Sequence, residues 1–246
     1  MDAIYQGYAP LNVPKPVADD IWIVDGPEIK FNYLGLHMPF PTRMTAIRLK
    51  DGSLWLHSPI ALDEDLIAAL EALGPIRFLI APNTLHYWYV PEWKARFPEA
   101  AVYGAPGLAR AAKRPLALDH ILGGEAPEAW AGEIDQVLVP GNLLTEVDFF
   151  HRASSTLILT DLIENFELDR MHSRFYKLAM RWAGTADPDG RTPIDMQFSF
   201  LGYRDKVRKA VQQMIAWAPE RIILAHGRWY EKDGVAELKR AFRWVL

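Results

Sequence analysis

The stretch Ile222-Ile223-Leu224-Ala225-His226-Gly227 is the most informative part of this chain. Its apolar run is typical of a buried β-strand, and the histidine and glycine that follow indicate a turn where the strand ends. In α/β proteins a rigid sheet holds the backbone, and the loops at the strand ends carry the functional side chains. The stretch therefore predicts a buried strand that presents His226 to a functional site.

Two other apolar runs end in a similar way. The run at residues 156–159 leads to Asp161, and the run at residues 78–81 leads into a loop that contains His86. Each run has the length of a strand and is followed by polar or turn-forming residues. We therefore expect the Asp161 carboxylate and the His226 imidazole to converge at one edge of the sheets, with His86 as a third candidate.

The composition is that of an ordinary globular protein, and it excludes several kinds of site. Of the 246 residues, 50% are hydrophobic and 24% are charged, the formal net charge is −4, and there is no cysteine. Disulfide bonds and thiolate metal sites are therefore excluded, and a metal would need histidine, aspartate, glutamate or asparagine ligands. The acidic balance argues against nucleic acid as a partner, because nucleic-acid-binding surfaces are basic. A small-molecule ligand or substrate is the expected partner, and assembly into an oligomer stays open.

The sequence gives no sign of a targeting or membrane-spanning segment. Its first residues, Met1-Asp2-Ala3-Ile4-Tyr5, lack the basic and apolar regions of a secretory signal, and no apolar run approaches the length of a membrane span. No change in composition divides the chain. We therefore expect a cytoplasmic protein with a single domain over residues 1–246 and a core from about residue 21 to about residue 244.

Local patterns predict the elements of an α/β fold. Asp51-Gly52, a strong hairpin signal, separates two apolar runs at residues 44–49 and 53–57. Asp63 can cap a helix that has apolar residues at helical spacing, and Gly74-Pro75 ends it. Strand and helix patterns then alternate to the end of the chain. This alternation predicts sheets packed between layers of helices.

Residues 170–182 carry one apolar and one basic stripe at helical spacing. The apolar stripe is Met171, Phe175, Leu178 and Trp182, and the basic stripe is Arg170, Arg174, Lys177 and Arg181. The pattern favours an amphipathic helix with its basic face in water. Two alternatives stay open: a lid that directs cations toward an anionic substrate, or a surface helix that rests on a partner or an anionic membrane.

The order of these elements resembles that of the metallo-β-lactamase superfamily. A hairpin is followed by a helix, a strand with a polar loop, a strand that ends in Asp161, and a late strand that ends in His226-Gly227. The resemblance is greatest to the branch called domain of unknown function 4336, through residues 81–88 and the segment Phe149-Phe150-His151-Arg152. It implies a four-layer αββα sandwich. It also implies one or two metal ions, zinc or iron, bound at one edge of the sheets to activate water for hydrolysis.

The metal motif of that superfamily is only partly present. The His-x-His-x-Asp-His pattern aligns with residues 83–88, and His86 lies one place out of step with it. Other residues stand at the four ligand positions: Asn83, Leu85, Tyr87 and Trp88. Asn142 stands where a histidine is expected after a Pro-Gly pair, whereas Asp161 and His226 match the bridging aspartate and the final histidine. The resemblance therefore implies a degenerate site. The loss of ligands favours a metal-free protein over one that binds zinc or iron.

Candidate site residues follow from these patterns. His86, Asp161 and His226 are the candidate catalytic residues and metal ligands, because a hydrolytic zinc site uses three protein ligands and one open position. Five further residues are candidates for binding a ligand or supporting the site: Asn83, Trp88, Asn142, His57 and His151.

Three functions are compatible with these residues. The first is metal-dependent hydrolysis of an ester, thioester, amide or phosphoester. The second is a metal-free binding or interaction module that keeps the fold, with an aromatic-lined pocket. The third is metal-free catalysis in which a histidine and an aspartate act as general acid and base. Whether the protein is an enzyme stays open here, since function belongs to the site and not to the scaffold.

Overall fold

The computed structural model describes residues 4–33 and 36–246, with side chains described outside residues 30–39. Its strands form two sheets. The first sheet has seven strands in the order β1-β2-β3-β4-β5-β6-β7. These strands are β1 (Lys15–Ala18), β2 (Ile21–Tyr33), β3 (Leu36–Arg48), β4 (Leu54–His57), β5 (Ile76–Ala81), β6 (Ala101–Gly104) and β7 (His120–Ile121). The second sheet has the order β11-β10-β9-β8. Its strands are β8 (Ile134–Val139), β9 (Glu146–His151), β10 (Thr156–Leu159) and β11 (Arg221–Leu224).

The described residues also form seven α-helices. They are α1 (Glu64–Glu71), α2 (Val90–Arg96), α3 (Leu108–Ala111), α4 (Arg174–Ala183), α5 (Ile194–Ser199), α6 (Arg204–Ala216) and α7 (Gly234–Ala241). In the part of the chain that the structure describes, no helix has the length and apolar character needed to cross a membrane.

The predicted hairpin is confirmed. Strands β3 and β4 run antiparallel, with Ile47 opposite Trp55. Gly52 in the turn has a φ of +85°, a left-handed conformation that glycine adopts readily because it has no Cβ. What the sequence patterns did not predict is the length of the neighbouring pair, in which β2 and β3 each span 13 residues.

The helix capped by Asp63 is also confirmed, as α1. The Asp63 carboxylate accepts a hydrogen bond from the backbone N–H of Leu66 at 3.0 Å, which satisfies one of the free amides of the first turn. Leu66, Ile67 and Leu70 are buried on one face, as their helical spacing predicts. This face packs against the outer side of the first sheet.

Three apolar clusters show the layer order. The central cluster lies between the sheets and joins Ile47 and Trp55 of the first sheet to Phe149, Ile158 and Ile223 of the second. A second cluster packs α1 and α2 on the outer face of the first sheet, and a third packs α6 and α7 on the outer face of the second. The protein is therefore an αββα sandwich, as expected.

Helix α4 differs from the expected arrangement. The apolar stripe of an amphipathic helix normally faces the protein, yet Phe175, Leu178 and Trp182 are 59%, 54% and 76% exposed. The helix instead buries its opposite side, where Met180 is only 5% exposed. The apolar stripe of α4 is thus a surface feature.

Candidate metal centre

The three candidate catalytic residues meet at one edge of the sandwich. His86 Nε2 lies 3.2 Å from Asp161 Oδ1 and 3.2 Å from His226 Nε2, and His226 Nε2 lies 3.3 Å from Asp161 Oδ1. Among the described residues, this is the one group of three that could hold a metal ion. The expected convergence of Asp161 and His226 is confirmed, and His86 joins them.

The strands explain why these residues meet. β10 and β11 are parallel neighbours, so Asp161 and His226 follow them at the same edge of the second sheet. Gly227 then turns the chain with a φ of +85°. A Cβ at Gly227 would lie 2.0 Å from the backbone oxygen of Asn165, so only glycine fits the turn after His226.

Hydrogen bonds orient the two imidazoles. His226 Nδ1 donates to the backbone oxygen of Pro41 at 2.8 Å, which directs Nε2 at the other two residues. His86 Nδ1 contacts Ser58 Oγ at 2.6 Å, and its Nε2 points into the same space. In each ring the Nδ1 atom contacts an oxygen outside the centre, an arrangement that also orients metal-binding histidines in proteins.

Asn83 and Glu146 form a second layer around Asp161. The Asn83 amide donates to Asp161 Oδ2 at 2.7 Å and to Glu146 Oε2 at 2.9 Å. Its oxygen accepts from the backbone N–H of Leu85 and His86, both at 2.8 Å. Asn83 therefore positions both the Asp161 carboxylate and the loop that carries His86.

The Glu146 carboxylate binds the turn that carries Asp161. It accepts the backbone N–H groups of Thr160 at 2.9 Å and Asp161 at 3.0 Å. Glu146 is 1% exposed, and these charge-assisted bonds compensate for its burial.

The pKa values of His86 and Asp161 are both shifted from their ordinary values. Burial lowers the pKa of His86, but the charge of Asp161, the hydrogen bond to it and the charge of Glu146 outweigh burial and raise that pKa. Burial raises the pKa of Asp161, but the charge of His86 and the hydrogen bonds from His226 and His86 hold that pKa below its ordinary value. The site thus attracts positive charge, which a proton or a metal ion can supply.

The donor set fits a single zinc-like ion. In a tetrahedral site with bonds of about 2.0 Å, neighbouring ligand atoms are about 3.3 Å apart. The three measured separations, 3.2, 3.2 and 3.3 Å, match the edges of one such tetrahedron. Two imidazole nitrogens and one carboxylate oxygen are ligands that zinc prefers, and iron accepts them as well.

The three residues open onto a cleft of about 590 Å³. His86, Asp161 and His226 lie in its wall, so a small molecule can reach them. Trp88 also lines the cleft and is 41% exposed, with the Arg114 guanidinium 5.0 Å from its ring centre. Trp88 therefore lies at the surface of the cleft, and its role in binding a ligand stays a prediction.

Two of the candidate histidines are not brought to the cleft. His57 stacks on Trp55 at 5.6 Å between ring centres, and it meets the edge of Phe149 in the core between the sheets. Burial and the charge of His86 lower the pKa of His57 to about 3. His151 lies at the opposite end of β9 from Glu146, where its Nδ1 contacts Ser154 Oγ at 2.8 Å.

Asn142 is not among the residues that line the cleft. Its side chain donates to the backbone oxygen of Leu201 at 3.1 Å, and its N–H to the backbone oxygen of Ser199 at 3.0 Å. It joins two surface loops and contacts none of the three central residues in the described structure.

The sequence patterns missed several residues that support the site. Glu146, Ser58 and Arg43 contact the central residues or the turns that carry them. Glu146 had one local signal, since a glutamate that opens an apolar strand is unusual in a buried sheet. Ser58 and Arg43 had none, because their partners are far away in the sequence.

The fold and these three groups define a protein of metallo-β-lactamase fold. The DIM-1 metallo-β-lactamase matches with a TM-score of 0.62 at 13% identity, covering 98% of this chain and 96% of that chain. A metallo-β-lactamase from Pontibacter korlensis matches at 0.61 and 11%, covering 94% and 97%. The FIM-1 enzyme from Pseudomonas aeruginosa, in a mono-zinc form, matches at 0.56 and 13%, covering 100% and 99%.

The particular family follows from the sequence. Residues 18–172, more than half of the chain, match the family described as domain of unknown function (DUF4336), and the protein belongs to that family. No curated protein matches the sequence. The resemblance stated from the sequence is confirmed at both levels, superfamily fold and branch.

Proposed function

We propose that this protein is a metal-dependent hydrolase that holds one divalent ion between His86, Asp161 and His226. The observation that carries the proposal is the size and chemistry of the triangle formed by the three ligand atoms, with edges of 3.2, 3.2 and 3.3 Å. The mono-zinc form of the structurally similar FIM-1 enzyme supports a one-metal site, by analogy of fold.

Asn83 and Asn142, at two of the family's ligand positions, support one ion rather than two. The Asn83 amide donates to Asp161 and Glu146 and so acts as a hydrogen-bond partner. Asn142 is directed to Leu201, away from the central residues. In this proposal the degenerate motif leaves ligands for one metal ion, and the second ion of the superfamily has no ligand set.

A bound divalent ion would polarise the scissile carbonyl or phosphoryl group and lower the pKa of water to about 7. The chain supplies the rest. In hydrolysis the oxygen of water bonds to the acyl carbon or the phosphorus, the bond to the leaving group breaks, and that group takes up a proton. Pro41 and Ser58 hold the two imidazoles in place, and Asn83 holds Asp161.

Glu164 is the candidate donor of that proton. It lines the cleft and is 8% exposed. Burial, followed by the charges of Asp161, Asp195 and Glu146, raises its pKa well above the usual value. A carboxyl group whose pKa is raised keeps its proton to higher pH than an ordinary glutamate does, which suits a general acid.

Metal analysis combined with variants tests the proposal. Protein purified without chelator or added metal should contain about one equivalent of zinc or iron and hydrolyse a 4-nitrophenyl ester. Asp161→Asn and His226→Asn should weaken zinc binding by more than the roughly 10- to 100-fold that loss of an outer hydrogen-bond partner costs. Asn142→Ala is the matched control and should keep both metal and activity.

A metal-free role is the second candidate, and one observation favours it. A hydrogen bond from His86 Nε2 to Asp161 would satisfy the centre without an ion, and the direction of the His86 pKa shift, upward, agrees with this. Protein that contains no metal, and that gains no thermal stability from added zinc, would favour a binding module. Hydrolysis under those conditions would instead favour acid–base catalysis by the His86–Asp161 pair.

A further inference from the structure

The wall of the cleft is largely apolar. Aromatic and aliphatic side chains from separate parts of the chain line it, including Phe40, Ile60, Trp88, Met180, Trp182 and Met196. The three central residues, His86, Asp161 and His226, add polar groups to this apolar lining. A cleft with this division suits a ligand that has a reactive polar group at one end and an apolar body.

The charges of the wall are unfavourable for an anionic ligand. Arg43 is the one cationic side chain among the described residues that line the cleft, apart from the histidines. Its guanidinium is 2.7 Å from Asp25 and donates to the backbone oxygens of Leu224 and Gly227 at 2.6 and 2.8 Å. Arg43 is 3% exposed, so it has no donor to offer a phosphate or carboxylate at the surface of the cleft.

Carboxyl groups are present in the same wall. Asp161, Glu164 and Asp195 all line the cleft. The basic residues of α4 do not compensate for them, because Arg174, Lys177 and Arg181 are absent from the described lining. Apart from the proposed metal ion, the described lining therefore offers an anionic substrate no exposed cation.

The mouth of the cleft is apolar and exposed. Leu85, Trp88, Trp182 and Ile194 line the cleft and are 41%, 41%, 76% and 38% exposed. Trp182 belongs to both the cleft and the exposed apolar stripe of α4. An alkyl chain can thus extend from the three central residues to the surface along apolar side chains.

We propose that the substrate is an uncharged ester, lactone or thioester with a long alkyl or acyl chain that lies along this cleft. The proposal rests on the proposed function for its chemistry. The oxygen of water bonds to the acyl carbon, and the bond from that carbon to oxygen or sulfur breaks. The products are a carboxylic acid and an alcohol or thiol, or a hydroxy acid from a lactone.

Chain-length selectivity tests the proposal in the metal-loaded protein. Each buried methylene contributes a factor of about two to four. The octanoate chain has four more methylenes than the butanoate chain, so kcat/KM for 4-nitrophenyl octanoate should exceed that for the butanoate by about 16- to 256-fold. Bis(4-nitrophenyl) phosphate, an anionic substrate with the same leaving group, should be hydrolysed more slowly than either ester. A flat or reversed chain-length profile, or a preference for the phosphate, would overturn the proposal.

Two aromatic residues of α4 form a matched pair of variants. Trp182 lines the cleft, whereas Phe175 lies on the same exposed stripe but is absent from the described lining. Trp182→Ala should reduce the octanoate-to-butanoate ratio by at least about threefold, and Phe175→Ala should leave it unchanged. Equal effects of the two variants would contradict the proposal. They would show that the selectivity arises when the apolar stripe of α4 associates with a second copy of the protein or with aggregated substrate.

Ligand binding to the metal-free protein separates this proposal from the proposed function. Decanol should displace the uncharged dye Nile red at a concentration at least about tenfold lower than decanoate, and Trp182→Ala should weaken this competition. If metal is absent but decanol binds selectively, the hydrolase proposal fails and the apolar ligand class stands. If metal and ester hydrolysis are present but decanol has no advantage over decanoate, the hydrolase proposal stands and the substrate class is wrong.

Discussion

Asn83 shows how one residue reorganises a site inherited from the superfamily. It stands where the family motif has its first histidine, and its amide bridges the carboxylates of Asp161 and Glu146. Its oxygen also accepts the backbone N–H of His86 at 2.8 Å. This bond holds the loop in a form that brings His86, out of step in the motif, beside Asp161 and His226.

Replacing Asn83 tests this positioning role. Asn83→Ala removes the donor to two buried carboxylates and the acceptor of two backbone N–H groups, so we expect a loss of roughly 2–4 kcal/mol in the free energy of unfolding. Zinc affinity should fall as well, because His86 is released. Urea unfolding and zinc titration measure the two effects. Asn142→Ala, which removes an exposed asparagine with one side-chain bond, should change neither by much, and equal losses in both variants would contradict the assigned role.

The buried imidazole of His57 predicts how the free energy of unfolding depends on pH. Its pKa is lowered to about 3 by burial and by the charge of His86, whereas an unfolded histidine has a pKa near 6.5. As the pH falls from about 6.5 to 3, the unfolded state takes up a proton that folded His57 does not. Stability that is present at neutral pH is therefore lost over this range.

The variant His57→Phe isolates this contribution. Between pH 7 and pH 4 the wild type should lose roughly 3 kcal/mol more unfolding free energy than the variant, measured by denaturant titration at each pH. His172→Phe, at an exposed position, serves as the control and should follow the wild-type curve. Parallel curves for wild type and His57→Phe would show that His57 takes up its proton equally in both states.

Elements with strong local signals were predicted correctly from the sequence. The β3–β4 hairpin followed from its Asp-Gly turn, and α1 followed from its cap and apolar spacing. Strands β10 and β11 followed from their apolar runs. Contacts between near neighbours in the sequence determine the hairpin and α1, and the apolar composition of each run indicates the two strands.

The elements that the sequence did not predict depend on distant contacts. The outer half of β2 and β3 is stabilised by cross-strand pairing and not by a local apolar run. Which face of α4 is buried depends on what packs against the helix. The buried face carries Met180, and the larger side chains of Phe175 and Trp182 are exposed. Amphipathicity alone gives the period of a helix but not the identity of its partner.

The cap of α1 predicts how much stability one side chain, that of Asp63, gives to this helix. Asp63→Ala removes the acceptor for the Leu66 N–H and should lower the unfolding free energy by about 1 kcal/mol. Asp65→Ala, in the same first turn but outside the cap position, should cost less. Thermal unfolding of the two variants measures the difference, and a larger loss for Asp65→Ala would contradict the cap assignment.

At the scale of the whole molecule, Arg43 joins the two sheets beside the candidate metal centre. It belongs to β3 and pairs with Asp25 of β2, while its guanidinium donates to the backbone of Leu224 and Gly227 at the end of β11. The turn that carries His226 is thus fixed to the other sheet. This link spans more than 180 positions in the sequence, and no local pattern could predict it.

Loss of that link should affect both folding and the site. Arg43→Met leaves Asp25 with Lys15 as its only cation partner in the described structure, and it leaves two backbone oxygens without their donor. We expect a loss of roughly 3–5 kcal/mol in unfolding free energy and weaker zinc binding. Lys15→Met keeps the Arg43–Asp25 pair and should cost about 1 kcal/mol or less. Calorimetry on the two variants would contradict this account if their losses were equal.

The sequence predicted only those residues of the candidate site that directly follow a strand with a strong local signal. Asp161 and His226 were identified because each follows a buried strand, and parallel strands end at the same edge. Ser58 and Arg43 could not be identified, because their roles arise only when distant segments pack together. The proposed one-metal arrangement likewise depends on the fold of the 83–88 loop and not on the register of its motif.

Diffraction from zinc-soaked crystals at the zinc absorption edge tests the central claim most directly. The account predicts one anomalous peak per chain, at about 2.0–2.2 Å from His86 Nε2, His226 Nε2 and Asp161 Oδ1. A map without a peak among these three atoms, or with zinc bound only elsewhere on the chain, would contradict it.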